Sequence, residues 1–337
     1  MRISIIIPTY NRGKYISITI QSFLELNYPK DDYEIIVANN NSTDDTAEIV
    51  HQYINNPEGV KLNYIFEPRQ GVHYARNTAA KAANYELLYF TDDDMIADPE
   101  LLNEIIKPFQ IDPKVADVTG KVLPKWEETP PEWIVKQCNN YLLSLLTPKY
   151  DFLVADSISY LYSCHQAVRR DVFFQAEGFN PEYTKGKYMG DGESGLNLKI
   201  RRLGYKYGYN GKSVIYHIIP KTRCTQKYLN KRFENNGRAH AYTAFRENSS
   251  MPLLLIRIFT NIILRFPRDI FMTFLTPIFR KDISLYFSLY HIILGRFYYL
   301  YGSMAFNINL ITKNNLRKFV LKKDWLSNDT EFDLVKV

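Results

Sequence analysis

Over the first 110 residues, apolar strand-like runs and helix-period stretches take turns, and few folds accept that order. Arg2–Ile7, Tyr33–Ala38, Lys61–Phe66 and Glu86–Phe90 are short runs rich in aliphatic and aromatic residues. Between them lie Lys14–Asn27, with Ile16, Ile20, Phe23 and Leu24 on one helical stripe, then Asp45–Asn55 and Val72–Asn84. Ser42 and Thr43 are candidate N-caps for the second helix, with Asp44 and Asp45 near its positive end. Asp98-Pro99-Glu100 reads as a helix start, with the helix running to about Phe109. Strands that alternate with helices pair in parallel through right-handed crossovers, so the fold class expected is α/β.

In such sheets ligands bind beyond the carboxyl ends of the strands. Three polar segments fall there: Pro8-Thr9-Tyr10-Asn11-Arg12, Asn39-Asn40-Asn41-Ser42 and Asp92-Asp93-Asp94. Three adjacent carboxylates repel, and no basic residue stands beside them in sequence. The run is either a solvated turn or a site for a hard cation such as Mg²⁺ or Mn²⁺, which bridges carboxylates to substrate phosphates. Collection of the three polar segments on one sheet edge favours the cation.

The stretch 114–220 is less regular. Strand-like pieces occur at Val115–Leu123 and Ser159–Val168, a helix is expected at Ser194–Leu203 with Gly204 at its C′ position, and short strands at Tyr205–Tyr209 and Ser213–His217. Thr225–Glu247 reads as a long polar helix. "GDGESGL" (Gly190–Leu196) sets Asp191 and Glu193 in a glycine-rich turn, as a charged helix start or as a general base that small neighbours let a substrate approach. His217 ends an apolar strand, where a satisfied edge histidine and a ligand are both open readings.

Cys138, Cys164 and Cys224 are far apart with no CxxC, which argues against a disulfide framework and a cysteine metal site. Only five residues separate Arg2 from Pro8, too short for a secretory signal core, so no export is expected. The net charge of +6 is local: between 251 and 323 stand 11 Lys/Arg against Asp269 and Asp282. That region is also greasy. Arg257, Asn261, Arg265 and Arg268 form one narrow polar stripe on an apolar helix. Ile283–Phe306 could span a bilayer by length, with Ser284, Ser288, His291, Gly295 and Gly302 on one line. Basic residues flank both ends, so helices lying in the cytoplasmic leaflet are favoured over a crossing. The aliphatic density suits lipid better than nucleic acid.

In this order, "SIIIPTYNR", "EIIVANNNSTDDT", "EPRQGVHYARN", "LLYFTDDDM", "RRDVFFQAEGFN", "GDGESGLNLKIRRLGYK" and "VIYH" resemble the motifs of inverting family 2 glycosyltransferases. They cover about residues 1–247. The resemblance implies a GT-A fold with a nucleotide-binding half (1–110) and an acceptor half (111–247); by composition a basic hydrophobic helical region (248–323) and a tail (324–337) follow. It implies donor-binding roles for Pro8, Thr9, Tyr10, Asn11, Asn39, Asn41, Arg76, Asp92 and Asp93. Asp94, Asp92 and His217 would hold Mn²⁺ or Mg²⁺, and Glu193 or Asp191 would be the catalytic base. The family usually carries Asp at position 39 and Glu-Asp where Gly192-Glu193 stand here; Glu193 is preferred by register. The expected reaction moves sugar from a nucleotide-diphosphate sugar to a glycan or lipid-linked hydroxyl. The expected location is the cytoplasmic face of the membrane, peripheral or monotopic, and no nucleic acid partner is expected. A nucleotidyltransferase would want a glycine-rich, Arg/Lys-tipped loop where Pro8-Thr9-Tyr10 stands, and a non-catalytic scaffold would not need the loop acids together.

Overall fold

The computed structural model describes residues 1–137, 142–158, 161–181, 190–280, 289–323 and 325–326. Cys138, residues 159–160 of one expected strand, 283–288 of the expected long span and most of the 324–337 tail lie outside them.

The alternation predicted for the N-terminal third is present. Strands β1 (Ile3–Thr9), β2 (Tyr33–Asn39), β3 (Lys61–Phe66) and β4 (Leu87–Thr91) are linked by helices α1 (Gly13–Leu24), α2 (Thr46–His51) and α3 (Val72–Ala82). Their ladders are parallel, with Thr9 level with Asn39, and Asn39 level with Phe66. This register brings the ends of β1 and β2 to one edge. A short strand β5 (Met95–Ala97) follows, then helices α4 (Leu101–Ile105) and α5 (Lys107–Ile111), where one helix was expected. Pro108 near the start of α5 lacks the N–H that a continuous helix would use.

The second half completes one sheet. Strand β6 (Val115–Trp126), helix α6 (Glu132–Gln137), strands β7 (Phe152–Ala155) and β8 (His165–Arg169), helices α7 (Arg170–Gln175) and α8 (Gly192–Arg202), and strand β9 (Lys206–Ile219) follow in order. The sheet runs β3-β2-β1-β4-β8-β6-β9-β5, with β7 added on β9. β8 is antiparallel to both β4 and β6, and β5 is antiparallel to β9. The two short strands expected after Gly204 are the halves of β9. One half pairs with β7 and the other with β5.

Side chains alternate through β1: Ile3, Ile5 and Ile7 enter one core and Ile6 the other. Both faces of the central sheet are covered, so its strands read as unbroken apolar runs. Ser4, the polar member of β1, donates to buried Glu34, which also accepts from Asn63 and Asn84. The helical region is α9 (Gln226–Glu247), α10 (Met251–Thr260), a π-turn at Asn261–Arg265, α11 (Phe266–Arg280), α12 (Leu289–Thr312) and α13 (Asn314–Leu321). A third core of Tyr74, Tyr242, Phe245, Phe306, Phe319 and Trp325 ties it to α3 of the sheet unit.

The small-residue line expected on the long span has a packing cause. A Cβ on Gly295 would strike the Phe233 ring at 2.2 Å, and one on Gly302 would strike the Glu234 carbonyl at 2.1 Å. These glycines let α12 lie close against α9. Among the described residues no helix is long and apolar enough to cross a membrane.

Candidate active site

The aspartates stand on the turn between β4 and β5. That turn is pinned from behind: Thr19 Oγ1 donates to the Asp93 carbonyl (2.9 Å), and the Ile218 N–H donates to the Asp94 carbonyl (2.9 Å). The Met95–His217 pair of β5 and β9 sets His217 beside Asp94. The three like charges therefore cannot spread apart, and the sequence alone leaves open what balances them.

Three arginines balance them. Arg76 from α3 donates to Asp92 (2.5 Å), and Arg223 donates to Asp94 (2.7 Å). Arg12 lies 3.6 Å from Asp93 and 3.9 Å from Asp94. Asp93 and Asp94 are buried. Burial, and then the neighbouring Asp94 charge, push Asp93 up to about 7, with Arg12 opposing.

His217 is buried, and its Nδ1 lies 2.9 Å from the Leu143 carbonyl. A carbonyl only accepts, so Nδ1 carries the proton and Nε2 presents its lone pair. Nε2 is 3.6 Å from Asp94 Oδ1 and 2.6 Å from Arg223 Nη1. Burial holds the imidazole below its ordinary pKa, which keeps it neutral. Asp94 and His217 thus offer a carboxylate oxygen and an imidazole nitrogen to one point, a donor set suited to Mn²⁺ or Mg²⁺ with phosphate oxygens completing the shell. The Arg223 guanidinium spans the two donors here. Asp92 turns instead to Arg76, and among the described residues no group of three His, Cys, Asp or Glu side chains converges to hold an ion.

The three aspartates, His217, Arg12 and Arg223 line a cavity of about 530 Å³, whose lining does not include Arg76. Of the residues singled out from sequence, Pro8, Thr9, Tyr10, Asp92, Asp93, Asp94 and His217 line it. Tyr10 is half exposed at 46%, leaving an aromatic face free to stack. Asn40 lines the cavity where Asn39 and Asn41 were expected. It accepts from the Gly71 N–H (2.7 Å) and donates to the carbonyls of Glu67 and Arg69, clamping the loop before α3. Asn39 is occupied with Ser42 N–H and the Tyr64 hydroxyl. Asn11 and Asn41 sit at φ 51° and 65°, where asparagine is better tolerated than bulkier residues, and Asn11 Oδ1 accepts from Thr43 N–H. These three shape the loops. Neither Ser42 nor Thr43 caps α2. Asp45 is its N-cap residue, and Asp44 accepts from the Thr46 hydroxyl and N–H.

Sequence reasoning gave no role to Arg12, Arg223, Tyr228 or Arg232, which also line the cavity. Tyr228 and Arg232 are four apart on α9 and share a helix face, a spacing that could have been read. Arg223 stands in a 3₁₀ turn with no such pattern.

Asp191 and Glu193 lie at the start of α8, away from this cavity. Asp191 is buried, accepts from Asn180 Nδ2 (2.7 Å), and lies 3.5 Å from Thr243 Oγ1. Burial raises its pKa, against the pull of that hydrogen bond and of Lys199. A Cβ at Gly195 would meet the Asp191 carboxylate at 2.1 Å, so a side chain there would displace that carboxylate. Glu193 is partly exposed, accepts from Ser163 Oγ (3.3 Å) and lines a second cavity of about 310 Å³. Of the two acids, Glu193 is the one open to a ligand.

The chain is similar to known proteins. The chain is 32% identical over 156 residues to poly(ribitol-phosphate) beta-N-acetylglucosaminyltransferase TarS of Staphylococcus aureus, covering 44% of this chain and 27% of that protein. It is 36% identical over 140 residues to poly(ribitol-phosphate) beta-glucosyltransferase of Bacillus spizizenii, covering 39% of this chain and 22% of that one. The matched stretches are thus about a quarter of those relatives' length. Among solved structures, a mannosyltransferase from Pyrobaculum calidifontis in complex with GDP-Man and Mn²⁺ superposes with a TM-score of 0.56 at 20% identity, covering 93% of this chain and 75% of that one. The fold is GT-A, a mixed sheet flanked by helices with a helical region appended at the C-terminus. The family model described as Glycosyl transferase family 2 matches residues 4–174, half of the chain, and the chain belongs to that family.

Proposed function

We propose that this protein transfers a sugar from a nucleotide-diphosphate sugar to a hydroxyl of a surface glycan or lipid-linked glycan, with inversion at the anomeric carbon. The observation that carries the reading is the meeting of Asp94, His217 and three arginines at one cavity on the carboxyl edge of the sheet. Breaking the bond from the anomeric carbon to the diphosphate leaves negative charge on the leaving group. Preorganised cations that face it stabilise that charge without reorganisation. Arg12, Arg223 and Arg232 supply fixed positive charge on the cavity wall. Asp94 and His217 would hold Mn²⁺ or Mg²⁺, which when bound offsets charge on the diphosphate oxygens. Arg223 would then leave Asp94 and His217 and turn to the phosphates.

Tyr10 is assigned to stacking on the nucleobase, and Thr9 and Asn40 to the wall beneath the nucleoside. Glu193 is assigned as the general base that takes the acceptor proton, from the side of its own cavity. Asp191 positions it: its carboxylate fixes the first turn of α8 through Asn180 and the tight approach of Gly195. The poly(ribitol-phosphate) in the relatives' names supports a polyol-phosphate or related glycan as acceptor. The basic, apolar helices after residue 250 support work at a membrane surface, on its cytoplasmic face.

The test is thermal stabilisation of the purified protein by a panel of nucleotide-diphosphate sugars, with and without Mn²⁺. A metal-dependent shift with one donor is expected. Indifference to the whole panel would overturn the reading.

A further inference from the structure

A third cavity, of about 630 Å³, lies between α9, the α10–α11 run and α12, remote in sequence from the aspartates. The polar stripe of the greasy helix lines it: Arg257, Asn261, Arg265 and Arg268, joined by Arg296 from α12. Two acids also line it, and both are engaged. Glu247 pairs with Arg202 (2.7 Å) and Asp269 pairs with Arg268 (2.8 Å). Arg257 donates to the Ala244 carbonyl, a neutral partner. Among the described residues Arg265 hydrogen-bonds to the Asn261 side chain alone, at 3.4 Å. Arg296 Nε is buried with no hydrogen-bond partner. Arg265 and Arg296 therefore hold positive charge with no acid partner among the described residues, and Asn307 and Ser303 add polar groups to the wall.

The outer faces of the same helices are apolar and uncovered. Phe259, Phe271 and Phe279 are 62%, 61% and 70% exposed. A soluble anion would account for the arginines and leave the phenylalanines unexplained, and an apolar protein partner would do the reverse. An amphiphilic anion accounts for both. We propose that this cavity binds the phosphodiester headgroup of an anionic glycerophospholipid, with Arg265 and Arg296 on the phosphate and the phenylalanine faces in the acyl layer. The proposal rests on the membrane-surface reading above and makes it specific: a built site, not a diffuse basic surface.

The experiment is vesicle flotation of the full chain, on phosphatidylcholine alone and on phosphatidylcholine with phosphatidylglycerol. Wild type is expected to prefer the anionic vesicles by at least about tenfold, the scale set by two cations near an anionic surface. Arg265→Ala/Arg296→Ala, or the Gln pair if the Ala pair melts early, is expected to bring binding down to the phosphatidylcholine level. Removing as many charges elsewhere, in Arg2→Ala/Lys61→Ala, is expected to leave the preference intact. Phe259→Ser/Phe271→Ser is expected to weaken binding to both vesicles. Millimolar inorganic phosphate is expected to leave flotation unchanged. An undiminished preference in the Arg265/Arg296 variant overturns the site while sparing membrane association. Loss of flotation on inorganic phosphate reassigns the site to a soluble anion. Failure of wild type to float on either vesicle overturns both readings, and the donor panel still tests sugar transfer independently.

Discussion

At the scale of single residues, Arg223 and Asp94 decide most. Arg223 donates to both Asp94 and His217, so removing it frees two metal donors and deletes a cation for the diphosphate. Arg223→Ala should bind Mn²⁺ more tightly in the absence of donor, read by the loss of free-ion EPR signal, while kcat falls by roughly 10²-fold. Asp94→Ala should lose Mn²⁺ binding altogether. Glu193→Gln should lower kcat by about 10²–10⁴-fold and leave donor binding within a few-fold, since a base acts only in the transition state. Asp191→Asn should instead lower the melting temperature together with activity. His165 tests the scaffold below the site. It is buried between the Tyr89 hydroxyl (2.6 Å) and the Ser213 carbonyl (3.1 Å), and burial lowers its pKa from 6.5 to about 4. The folded state thus resists a proton that the unfolded state accepts. The stability this provides is present above pH 6.5 and is lost as the pH falls toward 4, up to about 3 kcal/mol. Denaturant titrations at pH 7 and 4.5 should show a smaller loss in His165→Asn than in wild type.

At the scale of elements, close approach is bought with glycine. Gly237 on α9 faces the Tyr299 carbonyl, where a Cβ would sit 2.1 Å away, and Gly302 faces the Glu234 carbonyl in the same way. Neither carbonyl can move without moving its helix. Gly302→Val should destabilise the protein by at least about 1–3 kcal/mol in denaturant unfolding, as overpacking does. The elements also set how much was legible. The parallel half was readable because β1, β2 and β4 are buried along their whole length and α1 shows one apolar stripe. The C′ glycine was readable too: Gly204 does adopt φ +82° after α8. β5, only three residues, leaves no periodic trace, and its pairing with β9 is what brings His217 to Asp94. The loop acids were legible as charge without a partner. Their partners were not, because Arg12, Arg76 and Arg223 arrive from three separate elements, and a single sequence carries no record of that meeting. The line of small residues in the last third was read from its spacing, but spacing does not say whether lipid or another helix fills the groove.

At the scale of the whole molecule, two charged cavities face different chemistry. One, at the sheet edge, sets three aspartates against three arginines, a near-balance that a diphosphate and a divalent ion entering together would preserve. The other, among the C-terminal helices, keeps an excess of arginine beneath exposed phenylalanines. Tyr74 and Trp325 in the shared third core join the two regions, and α9 reaches the first cavity with Tyr228 and Arg232. The central claim is the joint arrival of ion and diphosphate at Asp94. Calorimetric titration of UDP and GDP into wild type and Asp94→Ala, each with Mn²⁺ and with EDTA, tests it most directly. One nucleotide should bind wild type at least about tenfold more tightly with Mn²⁺, and Asp94→Ala should erase that gain. Equal affinity with and without the metal in wild type, or a gain that survives Asp94→Ala, would contradict it.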